Sequence, residues 1–356
     1  MNYAIYLKKL LSMVIEKKAS DLHISVGHPP ILRIAGQLVE IQSEKEIEPN
    51  DSFSLANELM NEIQREKFLR EKEIDFGYGF EGGSRFRVNI YFQRANVSIA
   101  MRLISAKIKQ IDELNLPLIL HQFCQIRQGF VLITGASSQG KSTTLAALID
   151  EINHSRAEHI ITIEDPIEYI FKDDKSIIDQ REVFQDTLSF SRALRSTLRE
   201  DPNVIMVGEM RDLETIATAI TAAETGHLVF ATLHTNSASE TIHRIVDVFP
   251  AGQQNQIRAQ LSGSLYAIVS QRLLPRIAGG FTPACEILIA TPAVSNLIRE
   301  NKIHEMPTVI ETSRKEGMVS FNQSLAELVK KKEISKEIAL SYSFNSRDLK
   351  IRLEKI

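Results

Sequence analysis

Residues 135–142 read Gly-Ala-Ser-Ser-Gln-Gly-Lys-Ser, which fits the pattern G-x-x-x-x-G-K-[ST]. An apolar run at 130–134 precedes it and a helical pattern at 142–153 follows it. A strand, a glycine-bounded loop and a helix in that order leave few folds open. The backbone N–H groups of such a loop turn inward and cradle phosphate oxygens, and the helix N-terminus adds positive potential. The segment expected to bind nucleotide is Gly135, Ala136, Ser137, Ser138, Gln139, Gly140, Lys141, Ser142 and Thr143. Lys141 would reach the β- and γ-phosphates, and the Ser142 hydroxyl would contact Mg²⁺ through bound ATP. A chance match is expected in roughly one percent of chains this long, and the correct flanks lower that further.

The same character continues downstream. Short apolar runs at 130–134, 160–163, 204–207 and 228–233 alternate with helical patterns. Runs this short and this apolar suit strands covered on both faces, hence a mainly parallel α/β sheet. The tail, about 292–356, reads as helices at 293–300, 321–332 and 336–342.

The first hundred residues read differently. Leu7, Leu10, Leu11 and Val14 form one helical stripe, 21–26 looks extended, and 31–41 reads as two short strands. Residues 44–72 look helical. Phe86, Val88, Ile90 and Phe92 alternate with polar partners, as do Val97, Ile99, Met101 and Leu103 after a turn at 94–96, which predicts a β-hairpin. The expected division is an α+β domain at 1–103, a linker at 104–118 and an α/β domain at 119–356. A length of 356 residues suits two domains.

Bulk composition narrows the partners. There are 42 basic against 45 acidic residues, a net charge of −3, so no global excess advertises nucleic acid. Aromatic residues are 6% and Trp is absent, which gives little support to a stacking groove for single strands. Cys124 and Cys285 have no companions at metal spacing and read as buried small apolar residues in a reducing compartment. No signal-peptide pattern opens the chain, and no uncharged stretch reaches the ~18 residues that span a bilayer.

Carboxylates follow two of the apolar runs. Glu164 follows 160–163, with Asp165 and Glu168 close behind, and Glu209 follows 204–207 after Gly208. Strand ends on that edge are where open α/β sheets bind ligands. Glu164 and Glu209 are both candidates to polarise an attacking water. The one-residue offset of Glu209 suits contact with water more than with metal. His227 and His234 flank the run at 228–233 and are candidates to sense the γ-phosphate. Arg192, Arg195 and Arg199 share one helix face. One of them, or Arg272, or Arg85, Arg87 or Arg94 on the hairpin, could serve a neighbouring subunit's nucleotide.

With these segments identified, the chain closely resembles the type IV pilus retraction ATPases (PilT-like) of the secretion ATPase superfamily (GspE/PilT-type). The matching segments include 19–23, 85–89, 161–169, 192–195 with 198–212, 225–238 and 270–275. The run at 207–223, with Glu224-Thr225-Gly226-His227 after it, is the most specific. The resemblance implies a PAS-like N-terminal domain, a RecA-like ATPase domain, and a cytoplasmic homohexamer with ATP bound between domains. It implies that Glu164 is the Asp-box acid, Glu209 the Walker B acid, and His227 and His234 the His-box residues. It further implies docking at the inner membrane through a pilus platform protein, without a membrane span, and a PilT-like paralogue as a second partner. Two segments depart from the family. Ser138 and Gln139 replace an inner Gly-Ser, so a positive φ there would strain Ser138. Ser295 stands where the family has Arg. Assembly ATPases carry a four-cysteine zinc motif, and two cysteines favour the retraction branch. The alternatives are an accessory ring that binds ATP with weak hydrolysis, and a RecA-like nucleic-acid motor.

Overall fold

The computed structural model describes residues 2–81, 84–104 and 107–355. Met1, Gly82, Gly83, Ser105, Ala106 and Ile356, which fall in the expected N-terminal domain, linker and tail, lie outside the described residues. The chain forms two compact units. One holds the described residues up to Lys107 with Pro166–Ile170; the other holds Ile108–Asp165 and the residues from Phe171 onward.

In the first unit, α1 (Tyr3–Glu16) begins at Asn2, whose side chain accepts the N–H of Ile5. Leu7, Leu10, Leu11 and Val14 are buried on its inner face, as their spacing predicts. The strands β1 (Asp21–Ile24), β2 (Ile31–Ile34), β3 (Gln37–Glu40), β4 (Glu73–Gly79), β5 (Arg85–Gln93) and β6 (Asn96–Ile104) form one antiparallel sheet in the order β3-β2-β1-β6-β5-β4. The hairpin between β5 and β6 turns through Arg94 and Ala95 at φ 48° and 63°. Two successive positive φ values match the twist of the flanking strands. The expected helical stretch at 44–72 is two helices, α2 (Pro49–Leu59) and α3 (Glu62–Glu71). Met60 is extended between them, and the Asn61 side chain caps α3 by accepting the N–H of Gln64.

The second unit contains α4 (Leu120–Phe123), β7 (Gly129–Thr134), α5 (Lys141–Ser155), β8 (His159–Glu164), β9 (Ile177–Glu182), α6 (Phe190–Thr197), β10 (Val204–Val207), α7 (Leu213–Glu224), β11 (Leu228–Leu233), α8 (Ala238–Asp247), α9 (Ala251–Ser264), β12 (Leu265–Pro275) and β13 (Phe281–Ile289). Five helices follow: α10 (Pro292–Arg299), α11 (Met306–Thr312), α12 (Phe321–Lys330), α13 (Lys336–Tyr342) and α14 (Ser346–Leu353). The seven strands run β13-β12-β7-β11-β10-β8-β9. All neighbours are parallel except β12 and β13. The four apolar runs of the sequence are its central strands, and each is almost entirely buried.

Register sets the site. Thr134 pairs with Leu233, Ala231 with Val207, and Val207 with Ile163. Residues 135–140, His234, Gly208-Glu209 and Glu164 therefore lie together on the carboxyl edge of the sheet, where open α/β sheets take their ligands.

Candidate nucleotide site

The loop at 135–140 is held close against β12. Gly135 has φ 147°, and a Cβ there would lie 2.4 Å from the Gln271 carbonyl oxygen, so no other residue fits. Gly140 has φ 82° and stands at the N-cap of α5 without a side-chain cap. The first N–H groups of that helix therefore face the loop with no capping side chain competing for them. Ser138 has φ 63°. The strain anticipated for a serine here is present, and its scale is roughly 1–2 kcal/mol.

Lys141 is buried, and its Nζ donates to the Gly135 and Ala136 carbonyls, both at 2.9 Å. It also lies 3.4 Å from His234 Nδ1. His234 Nε2 in turn lies 2.9 Å from Glu209 Oε1, and the same carboxylate oxygen lies 2.8 Å from Arg211 Nε. An ammonium, an imidazole, a carboxylate and a guanidinium thus form one line at the strand ends. Burial alone would raise the Glu209 carboxyl, but the hydrogen bond from Arg211 and the charges of His234, Arg211 and Lys141 hold it below its ordinary value. Arg211 escaped the sequence reading; its place two residues after Glu209 was its only signal.

Gly208 brings the second acid close. A Cβ there would stand 3.0 Å from the Ile163 carbonyl oxygen and 3.4 Å from Glu164 Cα. Its absence lets the end of β10 pass against the end of β8. Glu164 is 7% exposed and accepts hydrogen bonds from Thr162 Oγ1 at 2.8 Å and Gln180 Nε2 at 3.1 Å. Thr232 Oγ1 donates to the Gly208 carbonyl, and the Met210 N–H donates to the Thr232 carbonyl, fixing the turn that carries Glu209.

Gln271 also escaped the sequence reading, although it lies in the matched segment 270–275. It is 2% exposed; its Nε2 donates to the Gln139 carbonyl at 2.7 Å and its Oε1 accepts from Thr144 Oγ1 at 2.8 Å. Its only local signal was an amide placed after the apolar run at 267–269, a group that needs partners once it is buried.

Other candidates stand elsewhere. His227 precedes β11 at the amino edge, where its Nδ1 lies 2.9 Å from the Ala222 carbonyl oxygen. The six residues of β11 separate it from His234. Arg192, Arg195 and Arg199 are all exposed; Arg195 pairs with Glu214, and Arg199 donates to the Arg195 carbonyl. Arg272 packs its guanidinium 4.1 Å from the Phe344 ring centre and 5.5 Å from that of Phe321. Ser295 Oγ donates to the Ser262 carbonyl at 2.8 Å, joining α10 to the last turn of α9. Cys124 and Cys285 are buried free thiols, and burial pushes the Cys285 thiol up to about 12.

A family model described as "Type II/IV secretion system protein" matches residues 2–339. The type IV pilus retraction ATPase PilT of Pseudomonas aeruginosa is 46% identical over 93% of this chain and 96% of its own. The type IV pilus ATPase PilU of the same organism is 40% identical over 98% of this chain and 91% of its own. A solved structure of the pilus retraction motor PilT with bound ADP superposes with a TM-score of 0.90 at 47% identity, covering 97% of this chain and 98% of that one. The chain belongs to the type II/IV secretion system protein family, on its PilT-like branch.

Proposed function

We propose that this chain hydrolyses ATP as a subunit of a homohexameric ring that powers type IV pilus retraction. The observation that carries the reading is the line Lys141, His234, Glu209 at the mouth of a strand–loop–helix phosphate cradle. Two loop carbonyls hold the Lys141 ammonium in place, so phosphate oxygens would meet a donor already oriented. Glu209, kept as a carboxylate by Arg211, would orient and deprotonate the attacking water, with Glu164 as the adjacent acid. His234 touches both the ammonium and the carboxylate and would register whether a terminal phosphate is present. The Ser142 hydroxyl, on the first turn of α5, fits Mg²⁺ held jointly with the phosphates, and the ion would neutralise their charge. Glu209 is already engaged by His234 and Arg211, which favours a water contact over direct ligation.

Support for the retraction assignment comes from relatives named for that work, which match nearly end to end. Among the described residues no helix is long and apolar enough to cross a membrane. Docking at the inner face of the cytoplasmic membrane would then go through a platform protein. An arginine acting on a neighbouring subunit is sought among the exposed Arg192, Arg195 and Arg199, since Arg272 is stacked on two phenylalanines. A second reading, an accessory ring beside a stronger paralogue, draws on the left-handed Ser138 and on Ser295.

Phosphate release by the purified protein with Mg²⁺, against Lys141→Ala, tests the enzyme. Equal release from both would end the ATPase reading. A deletion strain tests the work: excess pili without twitching support retraction, and bald cells point to assembly. Normal pili and twitching beside a functional paralogue favour the accessory ring.

A further inference from the structure

Gln139 combines two kinds of contact. Its backbone carbonyl accepts from Gln271 Nε2, and its side-chain Oε1 accepts the Leu273 N–H at 2.7 Å. The second bond fills a gap in the sheet. The pairing of β12 with β7 ends at Ser270 opposite Thr134, while β12 runs on to Pro275 with only β13 beside it. The Leu273 N–H faces the side that β7 has left and needs an acceptor. The Gln139 amide supplies it and stands in for the missing strand. Gln271 is fixed in turn by Thr144 on α5, and Gly135 rests against its carbonyl. The start of the loop, its last turn and the helix after it therefore all meet the same stretch of β12.

The residue before Gln139 is the one under strain. Ser138 holds a left-handed φ of 63° in a loop whose exposed tip, Ala136 to Ser138, has little packed around it. A non-glycine residue keeps such a conformation only when its surroundings over-determine it. The two bonds of Gln139, immediately after Ser138, are the nearest such constraint. We propose that the Gln139 side chain is a positioning residue: it clamps the phosphate loop to β12 so that Ser138 stays left-handed and the loop N–H groups stay turned inward. Gln139 contributes to affinity through Ser138, without its side chain touching the nucleotide. The proposal rests on the nucleotide-binding reading above.

The test is a double-mutant cycle on the full chain, with binding of fluorescent ADP in Mg²⁺ as the readout. Gln139→Met keeps length and removes the acceptor; Gln139→Ser shortens it and serves if the first variant folds poorly. Either should weaken ADP by about ten-fold, the scale of one lost hydrogen bond. In the S138G background, where a left-handed φ is relaxed, the same change should weaken ADP by no more than about two-fold. Exchange of the Leu273 amide in the unliganded protein should quicken in Q139M in both backgrounds. Equal losses with and without S138G would mean that Gln139 acts independently of Ser138, and would overturn the proposal. No loss in either background would also overturn it. If the unmodified chain retains no ADP, the nucleotide reading falls and takes this one with it. ADP binding that falls with Lys141→Ala but ignores position 139 rejects the clamp alone.

Discussion

The carboxyl and amino edges of the parallel sheet both carry polar side chains, but those side chains have different partners. At the carboxyl edge, Lys141, His234, Glu209 and Arg211 contact one another. At the amino edge, several side chains instead address backbone carbonyls, beside local pairs such as Arg156 with Glu158 and His159 with Asp179. Gln128 donates to the Ala223 and Glu224 carbonyls, Arg156 donates to those of Cys124 and Ile126, and His227 lies against that of Ala222. The cause is helix polarity. A helix between parallel strands starts at the carboxyl edge and ends at the amino edge, leaving unpaired N–H groups at one and unpaired carbonyls at the other. The amino edge closes these carbonyls with its own side chains; at the carboxyl edge Ser189, Asp212 and Ser237 likewise cap α6, α7 and α8, whereas α5 starts at Gly140 without a side-chain cap and keeps its first N–H groups for an anion.

The largest effect that would test this contrast comes from Glu209→Gln. ATP turnover should fall by about 10²–10⁴-fold, the range for losing a general base, while ADP binding is kept. Turnover within a few-fold of the unmodified chain would remove Glu209 from the chemistry. Arg211→Ala should have a smaller effect that depends on pH. Glu209 is held below its ordinary value, so its carboxylate persists into more acid solution and is lost as pH falls through that lowered value. Without Arg211 the acid limb of the pH–rate profile should move to higher pH, leaving turnover near neutrality almost unchanged. A limb that stays in place would mean that His234 and Lys141 suffice. At the amino edge, His227→Ala should cost about 1 kcal/mol of stability, seen as a lower unfolding temperature, with ADP affinity unchanged. A loss of affinity as large as that of His234→Ala would break the comparison.

Much of this arrangement is legible in the residues. The strand–loop–helix at 130–153 and the buried runs at 160–163, 204–207 and 228–233 declare themselves through local pattern, because a strand covered on both faces is apolar throughout. The edge strand β9 does not, since four of the six residues of Ile177-Ile178-Asp179-Gln180-Arg181-Glu182 are polar and leave no apolar run. Nor do β12, where Ser270, Gln271 and Arg272 interrupt the apolar character, and β13, where Thr282, Pro283 and Glu286 do. The site divides the same way. Lys141, Ser142, Glu164 and Glu209 follow from local motifs. The partnership of Gln139 with Gln271 spans 132 positions and exists only once β12 lies beside β7. The condition on Ser138 was stated by the sequence alone; that its neighbour supplies a constraint was not.

The smallest expected effect lies on α5 itself, at the end away from the phosphate loop. Glu151 is about 15 Å along the helix axis from Lys141 at 1.5 Å per residue. Its carboxylate oxygens lie 2.8 and 2.9 Å from His121 Nδ1, and His121 Nε2 lies 3.3 Å from Asp112. The hydrogen bond to Glu151 is the main cause that raises the His121 pKa; partial burial opposes it, and Asp112 adds to the rise. A raised value means that the charged imidazole stabilises the fold fully below the ordinary histidine value of about 6.5, and that this contribution is lost as pH rises through the folded-state value. The ring is 38% exposed, so solvent screening keeps the contribution well under 1 kcal/mol. Between pH 6 and pH 9 the unmodified chain should therefore lose about 1–2 °C more in unfolding temperature than His121→Gln. Its affinity for ADP should be the same as the variant's at both pH values. Equal shifts in the two proteins would show that the imidazole carries no charge worth removing. A parallel change in ADP affinity would show instead that the far end of α5 reaches the phosphate loop, and the two edges of the sheet would no longer be separable.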